Sequence, residues 1–133
     1  MTDCPLIDAF YAAYNRHDAE AATRLYATEG RHDEIAMGKS RTGHEALRDG
    51  LTGFFNMLPD VTWTPHQTVR SADHIAVFYH MTGTFTPRPS DKAPDPAPKP
   101  VALDGMHLFQ RAGDEIVRTQ DYWDKDAFLA QIG

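Results

Sequence analysis

The second half of the chain leaves little freedom in how it folds. Residues 61–69, 75–85, 101–110 and 115–123 are rich in β-branched and aromatic side chains with partial period-2 alternation, the pattern of half-buried strands. Ser71-Ala72-Asp73 joins the first two runs, and Arg111-Ala112-Gly113-Asp114 joins the last two. A parallel crossover needs a dozen or more residues, so linkers this short demand antiparallel neighbours. The junction between the middle runs, residues 86–100, alternates proline with Arg, Ser, Asp, Lys and Ala (PRPSDKAPDPAPKP). Proline removes ladder donors and favours extended backbone, so this segment reads as a long loop, either a mobile hairpin tip or a flap over a pocket mouth.

The first half has helical periodicity. Leu6, Phe10, Ala13 and Tyr14 recur at helical spacing over about residues 5–16, with Asp3 and Pro5 as a plausible start. Asn15-Arg16-His17-Asp18 interrupts that pattern, and Asp18 can cap a second, Ala-rich helix to about residue 27, stopped by Thr28-Glu29-Gly30. Ala46, Leu47, Leu51, Phe54, Phe55 and Leu58 form the apolar face of a third helix over about 44–58, ended by Pro59-Asp60. A short closing helix is expected over about 125–131. Helices first and a strand meander afterwards give an α+β class and exclude a Rossmann-type alternation.

Bulk properties narrow the function classes. A length of 133 residues suits a single domain with a real core. The net charge of −6, without any local run of Lys or Arg, argues against a nucleic-acid partner. No apolar run approaches a membrane span. Cys4 is the single cysteine, which excludes an internal disulfide and fits a reducing, cytoplasmic compartment. Met1-Thr2-Asp3 opens no basic, then apolar, export signal.

Three stretches in register, FYAAYNRHDAEAATRLYATEG, TGHEALRDGLTGFFNMLPD and GDEIVRTQDYWDKDAFLAQIG, resemble the SnoaL-like (polyketide cyclase-like) branch of the nuclear-transport-factor-2-like (NTF2-like) superfamily. The likeness covers nearly the whole chain except the proline-rich loop. It implies one domain over 1–133, an NTF2-like cone in which N-terminal helices pack on a strongly curved antiparallel or mixed sheet, barrel-like, around a pocket. It also implies a homodimer through the outer sheet face. In the cyclase members an aspartate on the last strand is the base for an aldol closure, and limonene epoxide hydrolases place one there in a similar context. The matching residue is Asp121.

The residues around Asp121 suit that role. Thr119, Asp121 and Trp123 share one face of a strand, and an inward carboxylate there would be partly desolvated, which raises its pKa toward that of a useful base. The other expectation is a strand-end carboxylate in water or a salt bridge to Arg118 or Arg111. Asp124 falls where the last helix begins and reads as its N-cap. His107, on the preceding strand, could lie beside Asp121 and steady an enolate, or be only a satisfied half-buried side chain. His80 shares a face with Phe78 and Thr82 and is a further pocket candidate. His32, Asp33 and Glu34 cluster after the second helix, as pocket polar groups or a solvated strand edge. Tyr14, Phe54, Phe55, Met57, Phe78, Phe109 and Trp123 could wall a cavity for a flat hydrophobic ligand or make an ordinary core. The seven histidines (His17, His32, His44, His66, His74, His80 and His107) show no close-spaced ligand pair, so no metal is expected.

Some branches are disfavoured. The Arg-x-Asp pair of the epoxide hydrolases is missing, since the matching strand reads Val-Phe-Tyr-His-Met-Thr-Gly. The oxyanion tyrosine of the ketosteroid isomerases falls on Phe10, although their base region maps near Asp33 and Glu34. Scytalone dehydratase-like chemistry would want more polar pocket groups. The expectation is a cyclase- or isomerase-type enzyme acting on a hydrophobic carbonyl compound, with Asp121 as base and His107 as its companion. Proton transfers of this kind need no cofactor. The alternative is a non-catalytic ligand-binding or dimerisation module on the same fold.

Overall fold

The computed structural model describes residues 4–133. Met1, Thr2 and Asp3, on which the readings of a helix start and of a missing export signal rest, lie outside the described residues. The elements run α1 (Pro5–Asn15), α2 (Ala19–Arg24), β1 (Tyr26–Glu34), β2 (Lys39–Thr42), α3 (His44–Met57), β3 (Thr62–Ser71), β4 (His74–Phe85), β5 (Lys99–Ala112), β6 (Glu115–Trp123) and α4 (Lys125–Ile132). Asp18 and Asp124 cap α2 and α4 as expected, accepting from the amides of Ala21 at 2.9 Å and Ala127 at 3.1 Å. None of the described helices is long and apolar enough to cross a membrane.

The six strands form one mixed sheet in the order β2-β1-β6-β5-β4-β3. The meander β3 to β6 is antiparallel throughout, as its linkers require. The sheet is open rather than closed into a barrel, with β2 and β3 at its edges. Register shifts mark bulges, with the extra residues on β1, β3 and β6, which bend strands and sharpen their twist.

Two strands were not expected. The second helix stops at Arg24, and the chain enters β1 where residues 25–30 read as helix and stop signal. The reason is tertiary: Ile116 N–H takes the Leu25 carbonyl at 2.9 Å, and Tyr26 is buried beside it. Gly30 permits the bulge that follows, because a Cβ there would sit 2.8 Å from Tyr26 Cβ. β2 is exposed at all four positions, so it carries no hydrophobic alternation to read. β1 pairs in parallel with β6, which no local pattern announces.

The long proline-rich segment has no helix or strand over 86–98, and β5 begins at Lys99 rather than after Pro100. β6 pairs with β5 only from Gly105 onward, so the first part of β5 has one strand neighbour. Proline is tolerated on such an edge. Gln131 of α4 takes the missing strand's place, accepting from Ala102 N at 2.7 Å and donating to Ala102 O at 2.9 Å.

On the inner face α1 sets Phe10, Tyr11 and Tyr14 against β5, with the Phe10 and Phe109 rings perpendicular at 4.8 Å. Asn15 then clamps the edge strand, donating to Trp63 O at 2.9 Å and accepting from Trp63 N at 2.8 Å. On the outer face Asp33 joins three strands. It accepts from Arg31 Nε and Ser40 Oγ at 2.6 Å each, and from Arg118 Nε at 2.8 Å. Burial opposes its charge, but these donors outweigh burial and lower its pKa to about 2. Because the folded value lies below the unfolded one, this contribution to stability is whole above about pH 4 and is lost as pH falls toward about 2. Urea unfolding at stepped pH should show the loss in the wild type and a flatter pH response in Asp33→Asn.

Candidate functional site

Alternation along β1 and β6 decides which polar groups meet. Parallel partners face the same side, so the pairs His32↔Thr119 and Glu34↔Asp121 both point inward, while Asp33 and Arg118 point outward together. The inward groups open into a cavity of about 360 Å³ between the sheet and helices α1, α2, α3 and α4. Its remaining wall is largely apolar, with Leu47 and Phe54 from α3 and Met81 and Leu103 from the meander. Met37 and Met57, both on the lining, are partly exposed.

Of the residues expected in a pocket, Tyr14, His32, Glu34, Phe54, Met57, Asp121 and Trp123 line this cavity. Asp33, Phe55, Phe78, His80, His107 and Phe109 do not. His80 belongs to the outward alternation of β4, whose buried set is Ile75, Val77, Tyr79 and Met81, and it meets Asp104 at 2.8 Å on the exposed face. Phe109 points inward but lies farther along β5, beneath the rings of α1. His107 is the strand partner of Asp121, as its position suggested, but it is packed behind the carboxyl among Phe10, Tyr14 and Tyr79 and does not line the cavity. Phe10 is fully buried in the same cluster.

Among the described residues, Asp121 is buried without a cation partner. Arg118, one expected partner, is taken by Asp33, and Arg111 reaches Cys4 Sγ instead, at 3.6 Å. Tyr79 Oη donates to Asp121 Oδ1 at 2.6 Å. That reach needs Gly105, the strand partner of Tyr79, since a Cβ there would collide with the tyrosine hydroxyl. Burial pushes the Asp121 carboxyl well above the ordinary carboxylate range, and the negative charge of Glu34 adds to it. The Tyr79 hydrogen bond pulls the other way, while a hydrogen bond between the two carboxyls raises it further.

Behind this pair the protonation states follow from burial. Burial, then the Asp121 charge, raises the Tyr11 phenol, so it keeps its proton, and its hydroxyl is hydrogen-bonded with His107 Nδ1 at 2.8 Å. The imidazole is held neutral by burial, with His32 adding to the effect. Its Nε2 lies 3.5 Å from Asp121 Oδ2. On the other flank Tyr26 Oη meets Thr119 Oγ1 at 2.7 Å, and Thr119 Oγ1 meets His32 Nδ1 at 2.6 Å. Burial raises the Tyr26 phenol too, so it also keeps its proton. His32 Nε2 lies 3.9 Å from Glu34 Oε2.

His32, Glu34 and Asp121 each offer a ligand atom within 4.8 Å of the other two, a set that could hold a divalent cation. Sequence spacing gave no sign of it, because the histidine and the aspartate lie on strands far apart in the chain. Tyr79 was also missed, although the apolar set Ile75, Val77 and Met81 marks its face. Glu34 was read with His32 and Asp33 as a polar cluster, and only the strand pairing places it beside Asp121.

The model of the SnoaL-like domain family matches residues 7–119. A comparison with curated proteins gives no match. Among solved structures, a protein from Catenulispora acidiphila with a ketosteroid isomerase-like fold, in complex with trimethylamine, is 25% identical, with a TM-score of 0.84 over 98% of this chain and 93% of that one. IdmH from Streptomyces antibioticus, a candidate polyketide cyclase, is 21% identical, with a TM-score of 0.77 over 96% of each chain. TerC, co-crystallised with polyporic acid, is 19% identical, with a TM-score of 0.77 over 96% and 95%. The fold is thus the ketosteroid isomerase-like, NTF2-like α+β fold.

The Tyr79 hydrogen bond is what restrains the Asp121 pKa. Removing it in Tyr79→Phe, or displacing it in Gly105→Ala, should move that pKa further upward. Titration of the Asp121 carboxyl carbon by NMR reads the direction, and an unchanged or lower value would show that Tyr79 does not hold the carboxylate.

Proposed function

The chain belongs to the SnoaL-like domain family, and we propose that it catalyses cyclase- or isomerase-type proton transfer on a hydrophobic carbonyl compound. The observation that carries this is Asp121, a buried carboxyl with no cation partner, facing an apolar cavity beside a second carboxyl. A carboxylate in water is too weak a base for a carbon acid, and burial moves it in the useful direction. Asp121 takes the proton α to the substrate carbonyl, and the C–H electron pair flows into the carbonyl oxygen. His32, whose ring shares the inward face, supplies a hydrogen bond to the enolate. Return of the proton to another carbon gives isomerisation. Attack of the enolate carbon on a second carbonyl forms a ring, and the new alkoxide takes the proton back.

His107 is a positioning residue in this scheme. Held by Tyr11, it supports Asp121 from behind and does not reach the enolate, which moves its role away from the direct contact expected from its strand position. Candidate polyketide cyclases among the structural neighbours fit the same class of chemistry.

β-Tetralone, a flat bicyclic ketone with acidic α-hydrogens, is a suitable probe. Deuterium exchange at its α-carbon in heavy water should be accelerated by the protein, and Asp121→Asn should reduce that acceleration by about 10²–10⁴-fold with little change in binding. The rate should climb with pH through the Asp121 titration, above the ordinary carboxylate range, because only the ionised form accepts the proton. Ketone binding with exchange indifferent to Asp121 would leave the binding-module alternative in its place.

A further inference from the structure

β2 is the edge strand beside β1, and its register decides what its side chains face. Antiparallel partners share a side, so Arg41 stands with His32 and Lys39 with Glu34 on the inward face, while Ser40 points outward with Asp33. Both cations line the cavity, together with the partly exposed Met37 and Met57 at its mouth. A charge on either face protects an exposed edge from pairing with another sheet. Here both charges stand on the cavity face, and the outward positions hold Ser40 and Thr42.

The ion pairs at this end of the sheet belong to Arg31, Arg118 and His32. Among the described residues, Lys39 and Arg41 have no side-chain hydrogen bond or ion pair of their own. Glu34, the strand partner of Lys39, is turned to His32 and Asp121 instead. Asp49 of α3 shares the lining and pairs with neither cation. Arg41 nevertheless has a fixed seat. A Cβ on Gly50 would collide with its Cδ and Nε, so the arginine stem lies against the α3 backbone. Glycine weakens a helix interior relative to alanine, and at this position it makes the room that Arg41 occupies.

Lys39, Glu34 and Asp121 stand in one row across β2, β1 and β6, and Arg41 belongs to the next inward row. β2 and β6 are two strand spacings apart, roughly 10 Å along the sheet. We propose that Lys39 and Arg41 form an anion-recognition site at the cavity mouth, and that the substrate is a carboxylic acid. Its carboxylate stays at the mouth while the enolisable carbon of its apolar, carbonyl-bearing body reaches Asp121. The guanidinium offers paired N–H donors to the two carboxylate oxygens, and the ammonium adds a second charge. The acids deeper in the cavity repel the same group, so both fields favour entry with the carbonyl end first. Asp49 beside the two cations leaves one net positive charge, which suits a carboxylate better than a phosphate dianion. This deepens the proton-transfer reading and rests on it for the carbonyl end alone.

The test compares calorimetric binding of 2-naphthoate with that of its neutral counterpart 2-naphthamide, in low salt at neutral pH. Naphthoate should bind about three- to tenfold more tightly, and added salt should shrink that preference. The double variant Lys39→Gln, Arg41→Gln should abolish it, and both side chains are exposed, so neither replacement disturbs the core. Gly50→Ala keeps both charges but displaces the Arg41 stem, and should reduce the preference. Arg48→Gln removes a charge from the α3 surface outside the cavity and should leave the preference intact, which separates a positioned site from net charge. Should a cavity variant fail to fold, the single replacements Lys39→Gln and Arg41→Gln decide. Equal or weaker binding of naphthoate overturns the proposal, as does its failure to bind at millimolar concentration. So does a preference unchanged in the cavity variants or lost in Arg48→Gln. Tighter binding of 2-naphthyl phosphate than of naphthoate overturns the choice of a carboxylate. Deuterium exchange of β-tetralone, which carries no anion, tests Asp121 separately, so loss of exchange with an intact naphthoate preference would remove the chemistry and leave the anion site.

Discussion

The parallel pairing of β1 with β6 is the contact on which the rest of the site depends. It joins a strand near the start of the chain to the last strand, in a register that sets His32 beside Thr119 and Glu34 beside Asp121. A slip of β1 by one residue against β6 would turn His32 and Glu34 to the other face and bring Asp33 into the cavity. The outer face guards against that slip. Asp33 there holds Arg118 of β6 together with Arg31 and Ser40, so the ion cluster locks the register from the side opposite the chemistry.

The two faces use carboxylates in opposite ways. Asp33 is given two guanidinium groups and a hydroxyl, and is held ionised far below its ordinary range. Asp121 is given a phenol, an imidazole and a second carboxyl, and is driven above that range. The difference is one of donor charge: cations reward ionisation, whereas neutral donors soften the cost of burial without removing it. Tyr79 and His107 are both backed by packing rather than by solvent, so the carboxyl is held in place while its proton affinity stays high. Gly105 contributes by absence, leaving the room that the Tyr79 hydroxyl occupies.

Much of the architecture was legible in local pattern. The antiparallel meander followed from two short linkers, α1 and α3 from apolar spacing, and the Asp18 and Asp124 caps from their positions at helix starts. The inward face of Thr119, Asp121 and Trp123 followed from strand alternation once β6 was recognised. β1 and β2 were not legible, because a polar strand beside an exposed edge strand buries too little to leave a periodic trace. His80 misled for a related reason: on β4 both alternations carry large side chains, and only the packing against the helices decides which is inside.

The amino-acid sequence by itself determined the α+β class, the tight hairpins, the presence of a last-strand aspartate and its strand companion His107, since these rest on interactions between near neighbours. Tertiary structure alone decided that His107 stands behind Asp121 and that Glu34, His32 and Tyr79 surround the carboxyl. Those arrangements depend on strand order, on bulges and on which residue fills the space beside which. Such quantities come from packing between segments distant in the chain, and no local periodicity encodes them.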